Sequence, residues 1–269
     1  IALGGGDEAV HELQELVLKL LKRGLSPEAL AGRLALEHGK KLISHETIYR
    51  FIYAQIARTK NYAWRRYLPR AKTKRGYRGR KGGSSALHIR DRVPIAQRPA
   101  QYSDRANVGN WEADSMQFSD YQTVLALHER SSRLIWIQHQ PTKQAASVAR
   151  SIESLLAPLP KRLRQSITFD NGTEFADHHV LRKALGIKTY FCDPYAPWQK
   201  GGVENAIGRL RRRLPRKTNL STVSPRQLQQ LAALYNHTPR KCLGYQTPAE
   251  VFSKVLHFKC ESTSPLPRG

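Results

Sequence analysis

Apolar residues recur at helical spacing over the first sixty positions and at strand spacing beyond residue 108. In EAVHELQELVLKLLK (8–22), Val10, Leu13, Leu16, Val17, Leu20 and Leu21 form one stripe, which predicts an amphipathic helix ended by Gly24. Ser26-Pro27-Glu28 reads as an N-cap, a first-turn proline and a favourable acidic position. The helix over 27–37 is expected to bury Leu30, Leu34 and Leu36. Ser44 would cap a further helix, HETIYRFIYAQI, with Ile48, Phe51 and Ile52 inward. Three short helices with a tight turn before the last predict a helix-turn-helix. Its last helix would offer His45, Glu46, Thr47 and Arg50 to a major groove; a plain three-helix bundle that binds nothing is the alternative.

Residues 58–92 lose that periodicity after Leu68 and carry many Arg and Lys among glycines and the aromatics Tyr62, Trp64, Tyr67 and Tyr77. They read as a basic linker that lies along phosphates, with Arg65, Arg66, Lys74, Arg75, Arg78, Arg80 and Lys81 as its contacts, or as a solvated linker whose charge aids solubility. Three apolar runs follow, VGNWEADSMQF, QTVLALHERSS and RLIWIQHQP, separated by turn residues, and predict an antiparallel meander. Thr142 is the expected N-cap of a helix with Ala145, Val148, Ile152 and Leu155 on one face. The strand SITFD, a helix at 177–185, the strand IKTYFC, a helix after residue 202 and a helix at 225–236 complete a mixed α/β layer pattern. The expected organisation is a helix-turn-helix domain (1–57), a basic linker (58–93), an α/β domain (94–256) and a tail (257–269).

Charge narrows the partners. Forty-five Lys and Arg oppose 21 Asp and Glu, a formal net charge of +24, which points to nucleic acid before an anionic membrane surface. No run of about 18 apolar residues would span a bilayer. The opening IALGGGDEAVHEL has no charged n-region and no cleavage pattern, so it is not read as a secretory signal; it also lacks an initiator Met, so residue 1 need not be the natural start. Cys192, Cys242 and Cys260 form no CxxC pair, and His178-His179 has no partner Cys pair, so neither a disulfide framework nor a zinc site is expected.

Two aspartates interrupt strands: Asp114 within the first and Asp170 at the end of SITFD. Asp is depleted in strands and costly there unless a cation neutralises it. Asp170 alone fits an Asp-Asn-Gly turn. The stretch DPYAPWQKGGVENAIGRLRRR (193–213) adds Glu204 on a basic helix, with Arg211 two turns further along the same face. Together the three acids suggest a metal cage. Lys200, Arg209, Arg211 and Arg212 are the expected phosphate contacts. Glu112 shares a strand face with Asp114 and is expected, like Glu174, to be structural or supporting. Trp198 either stacks on a base or packs its loop, with packing preferred.

The segments LSPEALAGRLALE, ISHETIYRFIY, GNWEAD, FDNGTEF, PYAPWQKGGVENAIGRLRRRLP and LGYQTPAEVF cover most of residues 25–252 and resemble the insertion-sequence family thirty of transposases. The resemblance implies a ribonuclease-H-like five-stranded mixed sheet flanked by helices and preceded by DNA-binding helices. It implies a catalytic, metal-ligating triad of Asp114, Asp170 and Glu204, two Mg²⁺ or Mn²⁺ ions, and Arg211 as the basic residue seven past the Glu. Double-stranded DNA (terminal inverted repeats and target), a homodimer or larger assembly on it, and a bacterial cytoplasmic, nucleoid-associated setting are also implied. Two positions depart from the family pattern: Asn110 stands where His is usual, and Ala113 where Gly is usual. The family often carries a further N-terminal helix-turn-helix for which this sequence shows no pattern, so terminal-repeat recognition is expected to be incomplete here. Two competing functions share the fold: a catalytically silent DNA-binding repressor or targeting protein, and a nuclease without strand transfer.

Overall fold

The computed structural model describes residues 4–68, 89–194 and 196–257. They divide into two compact units, one within Ile1–Arg80 joined by Thr238–Thr247, the other within Lys81–His237 joined by Pro248–Gly269.

The first unit holds α1 (Gly4–Lys22), α2 (Pro27–His38) and α3 (His45–Thr59). The Ser26 hydroxyl accepts from Ala29 N–H, Pro27 fills the first helical position, and Gly39 closes α2 at φ +65°. Ser44 caps α3 through Thr47 N–H at 3.0 Å. Val17, Leu21, Leu30, Leu34, Ile48 and Ile52 are the buried core. Leu36, expected inward, is exposed; two residues past Leu34 it is turned onto the opposite side of the helix. A 3₁₀ segment, Tyr62–Tyr67, continues this unit where a linker was expected. Trp64 meets Phe51 edge-on at 5.9 Å and Tyr67 at 5.6 Å, so the aromatics extend the helical core. Within the same unit Tyr245 packs where a Cβ on Gly32 would stand.

The second unit begins with the single-turn α4 (Ala100–Ser103) and is built on one sheet. Its strands are β1 (Asn110–Gln117), β2 (Thr123–Glu129), β3 (Ile135–Gln140), β4 (Ser166–Phe169) and β5 (Lys188–Phe191), in the order β3-β2-β1-β4-β5. β1 to β3 form the antiparallel meander, while β4 and β5 join β1 in parallel. α5 (Ala145–Leu156) follows β3, α6 (His178–Leu185) follows β4, and α7 (Gly201–Leu210), α8 (Pro225–Asn236) and α9 (Pro248–His257) follow β5. α5 takes Gln144 as its N-cap position, two residues later than the expected Thr142.

Strand alternation sorts the two sheet faces. Trp111, Ala113, Leu125, Leu127, Ile167 and Phe169 share a core with Val148 and Ile152 of α5, Leu181 of α6 and Phe252 of α9. Met116, Val124, Ala126 and Ile135 meet Val203, Ala206 and Leu210 of α7 and Leu228 and Tyr235 of α8. A five-stranded mixed sheet in this order with helices on both faces is the ribonuclease-H-like fold. None of the described helices is long and apolar enough to cross a membrane.

Candidate active site

The parallel register of β1 on β4 aligns Glu112 with Thr168. Two residues further on, Asp114 and Asp170 therefore stand at the same level of two adjacent strands. Both keep their carboxylates in place by short local bonds: Asp114 Oδ1 accepts from Ser115 N–H at 2.8 Å, and Asp170 Oδ1 from Gly172 N–H at 3.0 Å. The second is the turn expected of Asp-Asn-Gly. Asn171 closes the turn onto the neighbouring strand, donating to Cys192 O at 2.9 Å and accepting from Arg92 Nε at 2.9 Å.

One cation joins the two aspartates. Lys200 is only 3 % exposed. Its Nζ lies 3.0 Å from Asp170 Oδ2 and 3.6 Å from Asp114 Oδ1, and it donates to Ala113 O at 3.1 Å. Burial alone would pull a lysine pKa down, but Asp114 and Asp170 outweigh it and hold the ammonium above its ordinary range. Asp114 is raised, first by burial, then by Asp170, with Lys200 opposing. The cluster therefore holds two acids and one ammonium, a net demand for further positive charge.

Glu204 lies in the first turn of α7, exposed, four residues past Lys200. Asp114 and Asp170 are thus brought together, whereas among the described residues no three His, Cys, Asp or Glu side chains sit close enough to hold one ion as placed. Glu174 reaches toward the turn: a Cβ on Gly172 would be 2.5 Å from its Oε2 and 3.1 Å from Asp170 Oδ1.

The basic residues separate into two groups. Lys200 and Arg211, expected on phosphates, are engaged inside the unit. α7 ends at Leu210, and Arg211 at its C-cap donates to Gln117 O at 2.8 Å with its guanidinium 4.4 Å from the Phe118 ring centre. Its pKa is lowered, by burial first and then by Arg216. Arg209 and Arg212 are exposed, Arg209 resting on Asn205 at 3.0 Å. In the first unit His45, Glu46, Thr47 and Arg50 are exposed on α3. Arg65 and Arg66 are exposed over the rings of Tyr62 and Tyr67. Lys74, Arg75, Arg78, Arg80 and Lys81 lie outside the described residues.

Trp198 is 75 % exposed, against the expectation that it packs its loop. The turn beneath it is pinned by Gln199, which accepts from Asp193 N–H at 2.7 Å and donates to Asp193 Oδ2 at 2.8 Å. His178 is a buried structural histidine bonded to Thr189 Oγ1 at 2.9 Å and Arg90 O at 2.8 Å. The Cys192 thiol is pushed up to about 12, chiefly by burial.

What the sequence reading missed is the depth of Glu112. It is 2 % exposed. Arg130 Nε donates to its Oε1 at 3.0 Å, and Val203 N–H of α7 donates to its Oε2 at 2.8 Å. An acid two residues before another acid on one strand face was the signal; Arg130, just past the end of the next strand, gave none locally.

Asp114 within β1 and Asp170 just past β4 thus stand together on adjacent parallel strands of a ribonuclease-H-like sheet. Comparison with known proteins gives the family. The chain is similar to the transposase for insertion sequence element IS4351 of Bacteroides fragilis, 35% identical over 246 residues, 91% of this chain and 74% of that protein. It is 34% identical over 247 residues to the transposase InsI for insertion sequence element IS30A of Escherichia coli (strain K12), spanning 90% of this chain and 64% of that one. Among solved structures it is similar to the catalytic core domain of BIV integrase, with 27% identity, 55% of this chain and 96% of that one covered, and a TM-score of 0.44. No protein-family model matches. The chain belongs to the IS30 family of insertion-sequence transposases.

Proposed function

We propose that this protein cuts the ends of an insertion sequence and joins them to target DNA, with Asp114, Asp170 and Glu204 as its metal-holding catalytic acids. The observation that carries the reading is the pair Asp114–Asp170, within β1 and just past β4, closing on a buried lysine. Carboxylate oxygens of this kind fit hard divalent cations, Mg²⁺ or Mn²⁺, and Glu204 would complete the set for two ions. The chemistry such a pair supplies is activation of an attacking oxygen and neutralisation of the leaving oxygen in in-line displacement at phosphorus.

The protein's own part is positioning. The β1–β4 register fixes the two aspartates relative to each other, and the Gln199–Asp193 bonds hold the loop that delivers Lys200. Exposed Arg209 and Arg212, with Arg65, Arg66 and the start of α3, supply the cations that hold DNA. Lys74, Arg75, Arg78, Arg80 and Lys81 would extend that track. In the first step water attacks the phosphodiester, a P–O bond breaks and a 3′-hydroxyl is freed. In the second, that hydroxyl attacks a target phosphodiester and one P–O bond replaces another. Neither step needs a covalent protein–DNA bond. Assembly as a dimer or larger on paired ends, in the bacterial cytoplasm, belongs to the same proposal.

The test is nicking of a duplex carrying a cognate end. Wild type is expected to nick in Mg²⁺ or Mn²⁺, and Asp170→Asn to lose at least a hundredfold in rate while binding the duplex within twofold of wild type. Unchanged nicking by the variant would refute the assignment. A wild type that binds tightly and cuts nothing in Mn²⁺ would favour a silent repressor, and nicking without joined products from precut ends would favour a plain nuclease.

A further inference from the structure

The acids assigned above ride on separate elements, two on the sheet and Glu204 on α7, and their relative position needs a fastening. We infer that Glu112 is that fastening: a positioning residue whose buried carboxylate caps the start of α7 from within β1 and so sets Glu204 and Lys200 against Asp114. The inference rests on the catalytic reading of this site.

Four observations converge. First, Glu112 lies two residues before Asp114 on the same strand face, and its Oε2 accepts the N–H of Val203, the residue directly before Glu204, at 2.8 Å. A carboxylate at a helix start satisfies an orphan donor and meets the positive end of the helix dipole. Second, α7 has no side-chain cap of its own: Lys200 occupies the N-cap position and makes no such bond. The helix borrows its cap from the strand. Third, Gly202 is shaped to this contact. A Cβ there would stand 2.6 Å from Glu112 Oε2 and 2.9 Å from His128 Cε1, so a side chain would lift the helix start off the carboxylate. Fourth, the other oxygen is held from behind. Arg130 Nε donates to Oε1 at 3.0 Å, while its Nη1 and Nη2 donate to Tyr102 O at 2.6 Å and Ser103 O at 3.1 Å. The guanidinium fork locks the Glu112 rotamer and leaves Oε2 aimed at α7. His128, paired with Glu112 across β1–β2, closes the remaining side with Nδ1 3.9 Å from Oε2. A buried ion pair that only stabilised the sheet would need Arg130 alone; the bond to Val203 is what joins it to the site.

Glu112→Gln in the full chain tests this, because it preserves size but offers one acceptor where two are used. At a temperature where circular dichroism shows the variant fully folded, amide exchange at Val203–Asn205 should accelerate at least tenfold while β2 and β4 amides stay at wild-type rates. The Mn²⁺ dissociation constant should rise at least fivefold. The kcat for nicking should fall at least fiftyfold with KM for DNA within twofold. Gly202→Ala, which removes no charge and displaces only the helix start, should give the same pattern and stands in if Glu112→Gln fails to fold. A folded variant with a lower Tm but wild-type exchange in α7, wild-type Mn²⁺ affinity and wild-type kcat would overturn the inference and leave Glu112 a structural ion-pair partner. Should wild type itself prove inactive, the catalytic reading fails, and the exchange measurement alone still decides whether Glu112 holds α7.

Discussion

With Nζ 3.0 Å from Asp170 and 3.6 Å from Asp114, Lys200 offsets part of the repulsion between two carboxylates, one within β1 and one just past β4. Removing one partner of a buried charge cluster leaves the others uncompensated, which costs several kcal/mol when solvent is excluded and less when it is not. The Asp170 side chain is 42% exposed, so the site is open on that side. Lys200→Met is therefore expected to lower the stability of the metal-free protein by about 2 kcal/mol, read as a lower urea midpoint at unchanged slope. Adding Mn²⁺ should recover most of the loss, because a divalent cation answers the same two acids. A midpoint equal to or above wild type without metal would show that the ammonium does not hold the pair. None of this could be read from Lys-Gly-Gly in the chain, where Lys200 looks like part of a flexible turn. Its role depends on Ala113 and two aspartates that are distant in sequence.

At the scale of elements, β1 is the member that everything else is measured against. Its odd positions Trp111 and Ala113 enter one core and its even positions Glu112 and Asp114 face the α7 side with Met116. Trp111 is fully buried, donates from Nε1 to Leu163 O at 2.8 Å, and stacks on Trp136 with Phe252 of α9 edge-on at 6.1 Å. α9 thus completes the core beside the strand that carries Asp114. Phe252→Ala should cost about 3 kcal/mol of unfolding free energy through the cavity it leaves, measured by denaturant unfolding; a change below a few tenths would mean α9 is not part of this core. The sequence made the strands legible within a residue or two, because alternation and turn residues bracket each of them. It made α8 legible too: the helix runs Pro225–Asn236, the span expected, with Ser224 as its N-cap. α9 went unread although Thr247-Pro248 and Glu250 are a start signal, since its apolar stripe is short. The aromatic segment 62–67 was masked by its charge: the arginines suggested a linker, while Trp64 and Tyr67 decided the packing.

Over the whole molecule, a formal charge of +24 favours a polyanion as partner before any site is considered. Exposed cations are found on each unit, near the start of α3 and on Tyr62–Tyr67 in the first and along α7 in the second. The acids run against that field and are few, and two of them meet at one point. The candidate site was half legible on this scale. Acids in strands and on a basic helix suggested Asp114, Asp170 and Glu204 as a set, and the family resemblance implied them as a triad, but only the parallel register of β1 and β4 puts the aspartates side by side, and nothing local in the sequence said that a lysine would stand between them. We propose that these three side chains gather around divalent cations on DNA. The most direct measurement is Mn²⁺ anomalous diffraction from crystals of the chain with an end duplex. Density is expected for Mn²⁺ ligated by Asp114, Asp170 and Glu204, with the Lys200 ammonium displaced from between the aspartates. Mn²⁺-soaked crystals with no anomalous peak at these residues, and Lys200 still bridging Asp114 and Asp170, would contradict it.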